Sequence, residues 1–470
     1  MSAAYARLKL PEEVDRGSTV YGSRLFFGRY VPFRSVVIPS VEVFWLVLSS
    51  LAVFALNRRI AGVSGPLPWG QAGALAVIYL SALFLMDLYD LNSLGRRQEL
   101  MINLVEAMGL VCVAVSAVQY IFGFLTFSLA LALLQICLTA AFTLFARTVI
   151  GPRLLRRGGK LPVGFIGSVR ARAEIEKEQS ALTNLGFAIE PLGETVQQTA
   201  AWFRQRVQQR RLRHLVIDDA CLGKAEGWDF LEECVSRGIE IVGFGTFCER
   251  ALGKVALGPH LIGQLRVSER DPVSILRHRL RRWRDLVAAA IGLLIALPVG
   301  LLLAIAIKCD SAGPVFFSQE RVGGNGRRFR MFKFRSMYQN MPVAAGPAWT
   351  TQEHDPRVTR VGAVMRLFHL DELPQLINVI RGDMSLVGPR PFHPEHCAKL
   401  DTSPLFRLRL LVPPGITGWA QIRCSYEASV NDHQEVLARD LFYVKHASLL
   451  FDLFVIFDTF RVCLWRKGAR

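Results

Sequence analysis

Phe368-His-Leu-Asp-Glu-Leu-Pro-Gln-Leu376, continued by Ile377-Asn-Val-Ile-Arg-Gly-Asp-Met-Ser-Leu-Val-Gly-Pro-Arg-Pro391, is the most informative stretch of this 470-residue chain. Two adjacent carboxylates, Asp371 and Glu372, stand among leucines, isoleucines and valines that would ordinarily be buried. Burying unpaired charge is costly unless a cation or a metal compensates it. The neighbouring cations are Arg366, Arg381 and Arg390, the last fixed between Pro389 and Pro391. A carboxylate pair amid arginines suits a site that binds a phosphorylated, metal-chelating substrate and attacks it. Leu373-Pro374 predicts a helix start or a kink directly after the pair. Adjacent helical residues point about 100° apart, so the two carboxylates are expected to do different jobs.

Upstream, Gly313-Pro314 signals a turn, Val315-Phe316-Phe317 a short strand, and Gly323, Gly324 and Gly326 a hairpin turn. The alternation Phe332-Lys333-Phe334-Arg335 then puts Lys333 and Arg335 on one face of the return strand, where a basic face beside a Gly-rich turn can cradle phosphate. Downstream, Pro413-Pro-Gly-Ile-Thr-Gly-Trp-Ala-Gln-Ile422 reads as a membrane-proximal loop. The apolar stretch Leu449 to Trp465, interrupted by Asp452 and Asp458, reads as an interfacial or core helix, since those acids argue against spanning.

The length allows two to four domains, and a hydrophobic fraction of 51% is high for a chain wholly in water. Lys+Arg 56 against Asp+Glu 39 leaves +17, which with the membrane segments points to lipid headgroups and phosphates and to no nucleic acid. Four apolar stretches, about 36 to 56, 71 to 91, 101 to 124 and 126 to 149, approach the roughly 20 residues that span a bilayer. Arg24, Arg29 and Arg34 precede the first, Arg96 and Arg97 follow the second, and Arg153, Arg156 and Arg157 follow the fourth, which places both ends of the bundle in the cytoplasm. The long basic segment before the first span argues against a cleaved signal peptide. A fifth run, Leu286 to Ile307, has arginines crowding both ends and Pro298 in its middle, and is read as a re-entrant helix-break-helix. Nine scattered cysteines without a C-x-x-C pair fit a reduced compartment and no zinc framework.

Between Leu161 and about Val267, short apolar strands alternate with polar helices, the pattern of a parallel, Rossmann-like sheet. Val163–Ile166, His214–Ile217 and Glu240–Phe244 are the predicted strands. Gly164 and Gly167 suggest a dinucleotide fingerprint, but the third glycine is missing, leaving Arg170 and Arg172 as potential phosphate contacts and a structural or dimerising role open.

LDELPQLINVIRGDMSLVGPRP, with KFRSM upstream and PPGITGWAQI downstream, closely resembles the bacterial sugar transferases, the monotopic polyprenol-phosphate phosphoglycosyl transferases, over residues 277 to 470. The remainder looks like the larger members of that family. The expected fold is a multidomain membrane protein: a cytoplasmic segment 1–35, an α-helical transmembrane bundle 36–150, a central Rossmann-like α/β module 161–267, and a C-terminal mixed α/β catalytic domain 277–470 with a re-entrant membrane helix 286–307. The resemblance implies that Asp371 is a nucleophile, that Glu372 holds Mg²⁺, and that Pro389-Arg390-Pro391 belongs to the nucleotide-sugar site. Arg366 and Arg390 then become phosphate clamps, with Lys333 and Arg335 of KFRSM beside them. The implied substrates are a UDP-sugar and polyprenol phosphate (undecaprenyl phosphate in bacteria), joined with release of UMP at the start of exopolysaccharide biosynthesis. The implied place is the bacterial inner (cytoplasmic) membrane among membrane lipids, with the catalytic and central domains facing the cytoplasm and a homodimer left open. At Leu367-Phe368-His369 the chain departs from the family's commonest pattern of basic and then small or hydroxylated residues. The alternative reading is a membrane-anchored nucleotide-sensing scaffold with an inactive transferase domain.

Overall fold

The computed structural model describes residues 23–26, 29–61, 69–86, 88, 97–122, 129–150, 161–194, 212, 214–218, 221, 228–257, 272–338, 357–395, 397, 404–424 and 433–465. The chain divides into two compact units, Met1–Gly253 and Lys254–Arg470. Most of the segment 1–35 and the last part of the module 161–267 lie outside the described residues.

In the first unit, a hairpin of β1 (Ser23–Phe26) and β2 (Arg29–Pro32) leads into α1 (Phe33–Ala61), α2 (Trp69–Leu85), α3 (Arg97–Phe122) and α4 (Leu129–Phe145). Helices satisfy every backbone polar group within one segment, which is what a long apolar run needs in lipid. Ile38–Ile60, Leu100–Tyr120 and Leu131–Ile150 are long and apolar enough to cross a membrane; α2 offers the shorter Gly73–Leu85. The expected stretch 71 to 91 is thus cut short, before Asp87 and Asp90. Inside the bundle, Leu46, Tyr79, Val111 and Val115 pack together. Buried Gln135, Thr139, Thr143 and Arg147 recur every fourth residue down one face of α4 and its terminal π turn, Ala146–Ile150. Gln135 Nε2 donates to Ser49 Oγ at 2.8 Å, and Arg147 pairs with Glu42 at 3.3 Å.

The same unit holds a parallel sheet ordered β4-β3-β5-β6, built from β3 (Leu161–Ile166), β4 (Phe187–Gly193), β5 (His214–Ile217) and β6 (Glu240–Gly243). Helices α5 (Val169–Lys177), α6 (Gln179–Asn184), α7 (Trp228–Ser236) and α8 (Phe244–Leu252) connect and cover it. Val163, Phe165 and Val216 pack with Phe247 and Ala251 in one core, while Ile166, Leu215 and Ile217 pack with Phe230, Leu231 and Cys234 in another. Burial on both faces is the usual condition of parallel strands, and it explains why β3 and β5 read as unbroken apolar runs. Strand β4 carries Glu190 and Pro191 and has no such signal; it lies at the sheet's edge, where proline is tolerated.

The second unit begins with α9 (Pro272–Asp310), 39 residues long and helical through Pro298. The expected break at Pro298 is therefore absent: helical hydrogen bonding resumes on both sides, and proline inside an apolar membrane helix removes one donor without ending the helix. Its middle presents Leu294, Ile295, Leu301 and Leu302 outward, each more than half exposed. Both ends are fastened to the same domain. At the first end, Arg281 forks onto Asp452 (2.8 Å to each oxygen) and Arg284 Nη1 reaches Asp452 Oδ2 at 2.5 Å. At the other, Asp310 Oδ2 accepts the Val361 N–H at 2.9 Å, and Arg335 Nη2 donates to the Ser311 carbonyl at 2.7 Å.

The domain continues with the antiparallel hairpin β7 (Phe316–Val322) and β8 (Arg328–Phe334), then α10 (Arg360–Leu367), α11 (Gln375–Arg381), β9 (Ser385–Val387), α12 (Pro404–Leu408), β10 (Gly415–Thr417), α13 (Trp419–Arg423), α14 (His433–His446) and α15 (Leu449–Trp465). The stretch expected to be a membrane-proximal loop is instead β10 and α13. Gly415 pairs in parallel with Ser385, and Thr417 with Val387. The two chains approach so closely that a Cβ on Gly388 would lie 2.3 Å from the Pro413 oxygen, which leaves room for glycine alone. Trp419 is 1% exposed, packed against Phe442 and Phe451, so its ring fills the core and not a membrane interface. Asp452 and Asp458 are buried too, the latter paired with Arg423 at 3.0 Å and Arg461 at 2.7 Å, so one face of α15 lies in the core while Leu450, Leu453 and Phe460 stand outward, within the interfacial or core helix expected.

Asp452→Ala would strip Arg281 of its carboxylate, leaving it only the Tyr443 hydroxyl, and leave Arg284 with Asp285 alone. A loss of about 3–5 kcal/mol is expected, read as a lower unfolding midpoint of the detergent-solubilised protein; an unchanged midpoint would mean that the clamp does not hold the helix.

Candidate active site

Asp371 and Glu372 lie in a 3₁₀ turn, Leu370–Glu372, between α10 and α11. His369 enters that turn with φ at 53°, a left-handed conformation that a side chain with a β-carbon seldom adopts but that His visits more readily than most. Pro374 caps α11, which confirms the helix start expected there. The turn is anchored from below by Leu370 and Leu373, which pack on Ile307, Phe334 and Met365.

Asn378 sets the distance between this turn and strand β8. Fully buried on α11, it accepts the Phe332 N–H at 3.0 Å and donates to the Arg330 carbonyl at 2.7 Å and to Asp383 at 3.2 Å. An amide, with an acceptor and two donors, can satisfy both an N–H and a carbonyl on the same edge of a strand. Lys333, one residue further along β8, is thereby placed over the dyad: its Nζ lies 2.5 Å from Glu372 Oε1 and 3.9 Å from Asp371 Oδ2.

The other expected residues divide. Arg390, more than half exposed, has Nη2 3.7 Å from Glu372 Oε1. Its flanking prolines are both buried, so the loop holds the guanidinium at the edge of the site. Arg366 donates from Nε to Ser336 Oγ at 3.0 Å and acts on the charge of Asp371. Arg335 does not join them. It follows the end of β8, is 4% exposed, and turns inward to donate to Ile307 O, Ser311 O and Ser311 Oγ. Period-2 alternation put it beside Lys333, but the strand ends at Phe334 and the carbonyls at the end of α9 claim the guanidinium instead.

Two supporting residues carried no signal of their own. Arg409 donates to the Arg390 carbonyl at 2.9 Å, stacks 4.0 Å over the Phe392 ring, and is itself paired with buried Asp440 at 2.7 Å. Ser385 Oγ donates to Asp285 Oδ2 at 2.6 Å, tying β9, the strand that leads to Arg390, to α9.

The carboxylates differ electrostatically. Burial pushes Asp371 above the usual carboxylate range, offset in part by Lys333. Burial also opposes ionisation of Glu372, but the cations of Lys333 and Arg390 overcome it and hold the group down to about 2. A buried, less readily ionised carboxylate thus sits beside one that stays charged.

In the central module, the sheet's crevice is less suited to phosphate. Asp218 Oδ2 accepts from Ser168 Oγ at 2.6 Å and from the Ser168 N–H at 3.3 Å, so a carboxylate occupies the mouth of α5. Arg172 pairs with Glu176 at 3.0 Å.

A model of the bacterial sugar transferase family matches residues 276–466. Exopolysaccharide production protein ExoY of Rhizobium meliloti is 38% identical over 200 residues, covering 40% of this chain and 86% of that protein. The chain belongs to the bacterial sugar transferase family. Among larger family members, UDP-N-acetylgalactosamine-undecaprenyl-phosphate N-acetylgalactosaminephosphotransferase of Aeromonas hydrophila is 38% identical over 254 residues, 54% of this chain and 58% of that one. UDP-glucose:undecaprenyl-phosphate glucose-1-phosphate transferase of Escherichia coli K12 is 41% identical over 196 residues, 40% of this chain and 41% of that one. The matched region thus spans about half the length of these larger transferases.

Glu372 is expected to remain ionised at about pH 4, where an ordinary glutamate is mostly protonated, because its lowered pKa keeps its ion pair intact until the pH falls toward 2. Carboxylate infrared difference spectra of wild type against Glu372→Gln check this. A Glu372 band that protonates in step with exposed glutamates would show that Lys333 does not hold it.

Proposed function

We propose that this chain transfers a sugar phosphate from a UDP-sugar to polyprenol phosphate, by way of a covalent aspartyl-phosphosugar intermediate and with release of UMP. The observation that carries the reading is the divided dyad: Asp371 buried and Glu372 held ionised, with Lys333 against both. The names of the Aeromonas and Escherichia coli relatives, both sugar phosphotransferases acting on undecaprenyl phosphate, support the substrate class.

In the first step an Asp371 carboxylate oxygen attacks the sugar-bearing phosphorus, a P–O bond forms, and the anhydride bond to the uridylate breaks. UMP leaves with the bonding electrons. Lys333 and Arg390 meet the charge that spreads over the phosphoryl oxygens. In the second step a phosphate oxygen of polyprenol phosphate attacks the same phosphorus and Asp371 is released. One phosphoanhydride replaces another, so no further energy source is required.

Among the described residues, no group of three or more His, Cys, Asp or Glu side chains stands ready to hold a metal by itself. Mg²⁺ needs no such group: it is commonly held by one or two carboxylates together with substrate phosphates. Glu372, ionised and only partly covered, fits as that carboxylate. Bound there with the diphosphate, Mg²⁺ would neutralise charge on the leaving uridylate.

The acceptor's tail lies in lipid, so the site has to stand at the membrane surface. Both ends of α9 are fastened to one domain while its middle is apolar and exposed, which supports a helix that bends at Pro298 without ending there, dips into the bilayer and returns to the side it entered. We place that side, with the positive termini of the bundle, in the cytoplasm, and the protein in the bacterial inner membrane, at the first membrane-linked step of an exopolysaccharide.

Protein incubated with Mg²⁺ and the right UDP-sugar, but without acceptor, should release about one UMP per site and stall. Intact mass should show the phosphosugar adduct. Asp371→Asn should abolish both signals, whereas Glu372→Gln should impair metal-dependent turnover. Wild-type turnover by Asp371→Asn would mean direct displacement and would exclude the aspartyl intermediate.

A further inference from the structure

Arg321 has no part in the reaction as described, and the sequence marks it as no more than one of several cations after the membrane helix. It stands on β7, and the backbone of its neighbour is stitched to the Pro-Arg-Pro loop: the Val322 N–H donates to the Phe392 carbonyl at 3.0 Å. That bond joins the strand of Arg321 to the loop of Arg390, and the guanidinium of Arg390 and the carboxylate of Glu372 both act on the charge of Arg321. The loop cannot easily swing away, because Arg409 holds the Arg390 carbonyl and stacks on Phe392 from the other side. Two like charges kept together in a partly dry place repel each other unless an anion lies between them.

Their hydrogen-bonding capacity is unspent. Arg321 Nη2 donates to Gln319 Oε1 at 2.6 Å, while its Nε is buried with no partner. Arg390 approaches Glu372 no closer than 3.7 Å, since Lys333 already takes the same oxygen at 2.5 Å. The charges point the same way. Lys333, Arg390 and Arg321 all act on Glu372, and Lys333 and Arg366 on Asp371, so cations outnumber the two carboxylates of the dyad, as a site for an anionic donor requires.

We infer that Arg321 is a second guanidinium of the donor site, binding the diphosphate of a nucleoside diphosphate sugar jointly with Arg390, with Gln319 fixing the plane of its fork. This rests on the donor reading above. Paired guanidiniums suit two linked phosphates better than one, so the site should favour the intact donor over the UMP it releases.

The test is calorimetric titration of the full-length protein, in lipid nanodiscs with Mg²⁺, using UDP and UMP as probes. Wild type should bind UDP more tightly than UMP. Arg321→Met should weaken UDP by about tenfold or more but UMP by less than about threefold, and Arg321→Lys should fall between, keeping the charge without the fork. UDP affinity unchanged in Arg321→Met, or an equal loss of both nucleotides, would overturn the assignment. Should Arg321→Met lower the unfolding midpoint, Gln319→Leu frees the fork without removing it: a loss confined to UDP supports the proposal, and no loss overturns it. Wild-type protein that binds neither nucleotide would instead overturn the donor reading itself, an outcome distinct from a defect limited to the variants.

Discussion

Asp452 accepts two arginines from one turn of the membrane helix and lies 2.8 Å from the Tyr443 hydroxyl, which is itself 2.9 Å from the Val387 carbonyl. A fully buried carboxylate with this many donors is strongly fixed, because losing any one partner would leave charge stranded in a dry place. Four elements meet there: the entrance of α9, the helices α14 and α15, and β9, whose next residues carry Arg390. Ser385 and Asp285 add a second tie between β9 and α9. The two arginines at the entrance of α9 and the loop that carries Arg390 are therefore set by one network.

The far end of α9 is fixed by different chemistry. Its last carbonyls receive Arg335, and its last carboxylate receives the N–H of Val361 at the start of α10. Helix C-termini leave carbonyls without partners, and a buried guanidinium is an efficient donor to several at once. From there α10 leads directly into the strained turn at His369 and the dyad. The apolar helix thus flanks the turn that carries Asp371 and Glu372 through both its ends, as the proposed chemistry at a bilayer surface requires.

Much of this was legible beforehand. The hairpin around Gly323 to Gly326, the helix start at Pro374, the parallel strands of the central module and the membrane helices all follow from periodicity and turn chemistry. The dyad was found because buried charge needs a partner, and Lys333 because alternation beside a Gly-rich turn exposes a cation to phosphate; that Lys333 is itself the partner of Glu372 was not legible. Arg335 was misplaced because alternation says which face a residue takes within a strand but not where the strand ends. Asn378 and Arg409 left no trace, since neither a neutral amide nor an arginine in sequence reveals that it will bond the backbone of a distant strand or loop. The stretch Pro413 to Ile422 was read as a membrane-proximal loop because it is rich in glycine and proline; its glycines are required instead by the close approach of β9 and β10. Pro298 signals a break in water but not in an apolar helix.

The account turns on a membrane helix that enters and leaves on one side. Single cysteines replacing His278 and Ala312, at the two ends of α9 in a background without other cysteines, test this with a membrane-impermeant maleimide applied to intact spheroplasts and to inverted vesicles. Both positions should be labelled from the same face of the membrane. Labelling of the two from opposite faces would make α9 an ordinary span, and a domain that holds both its ends could not exist as described.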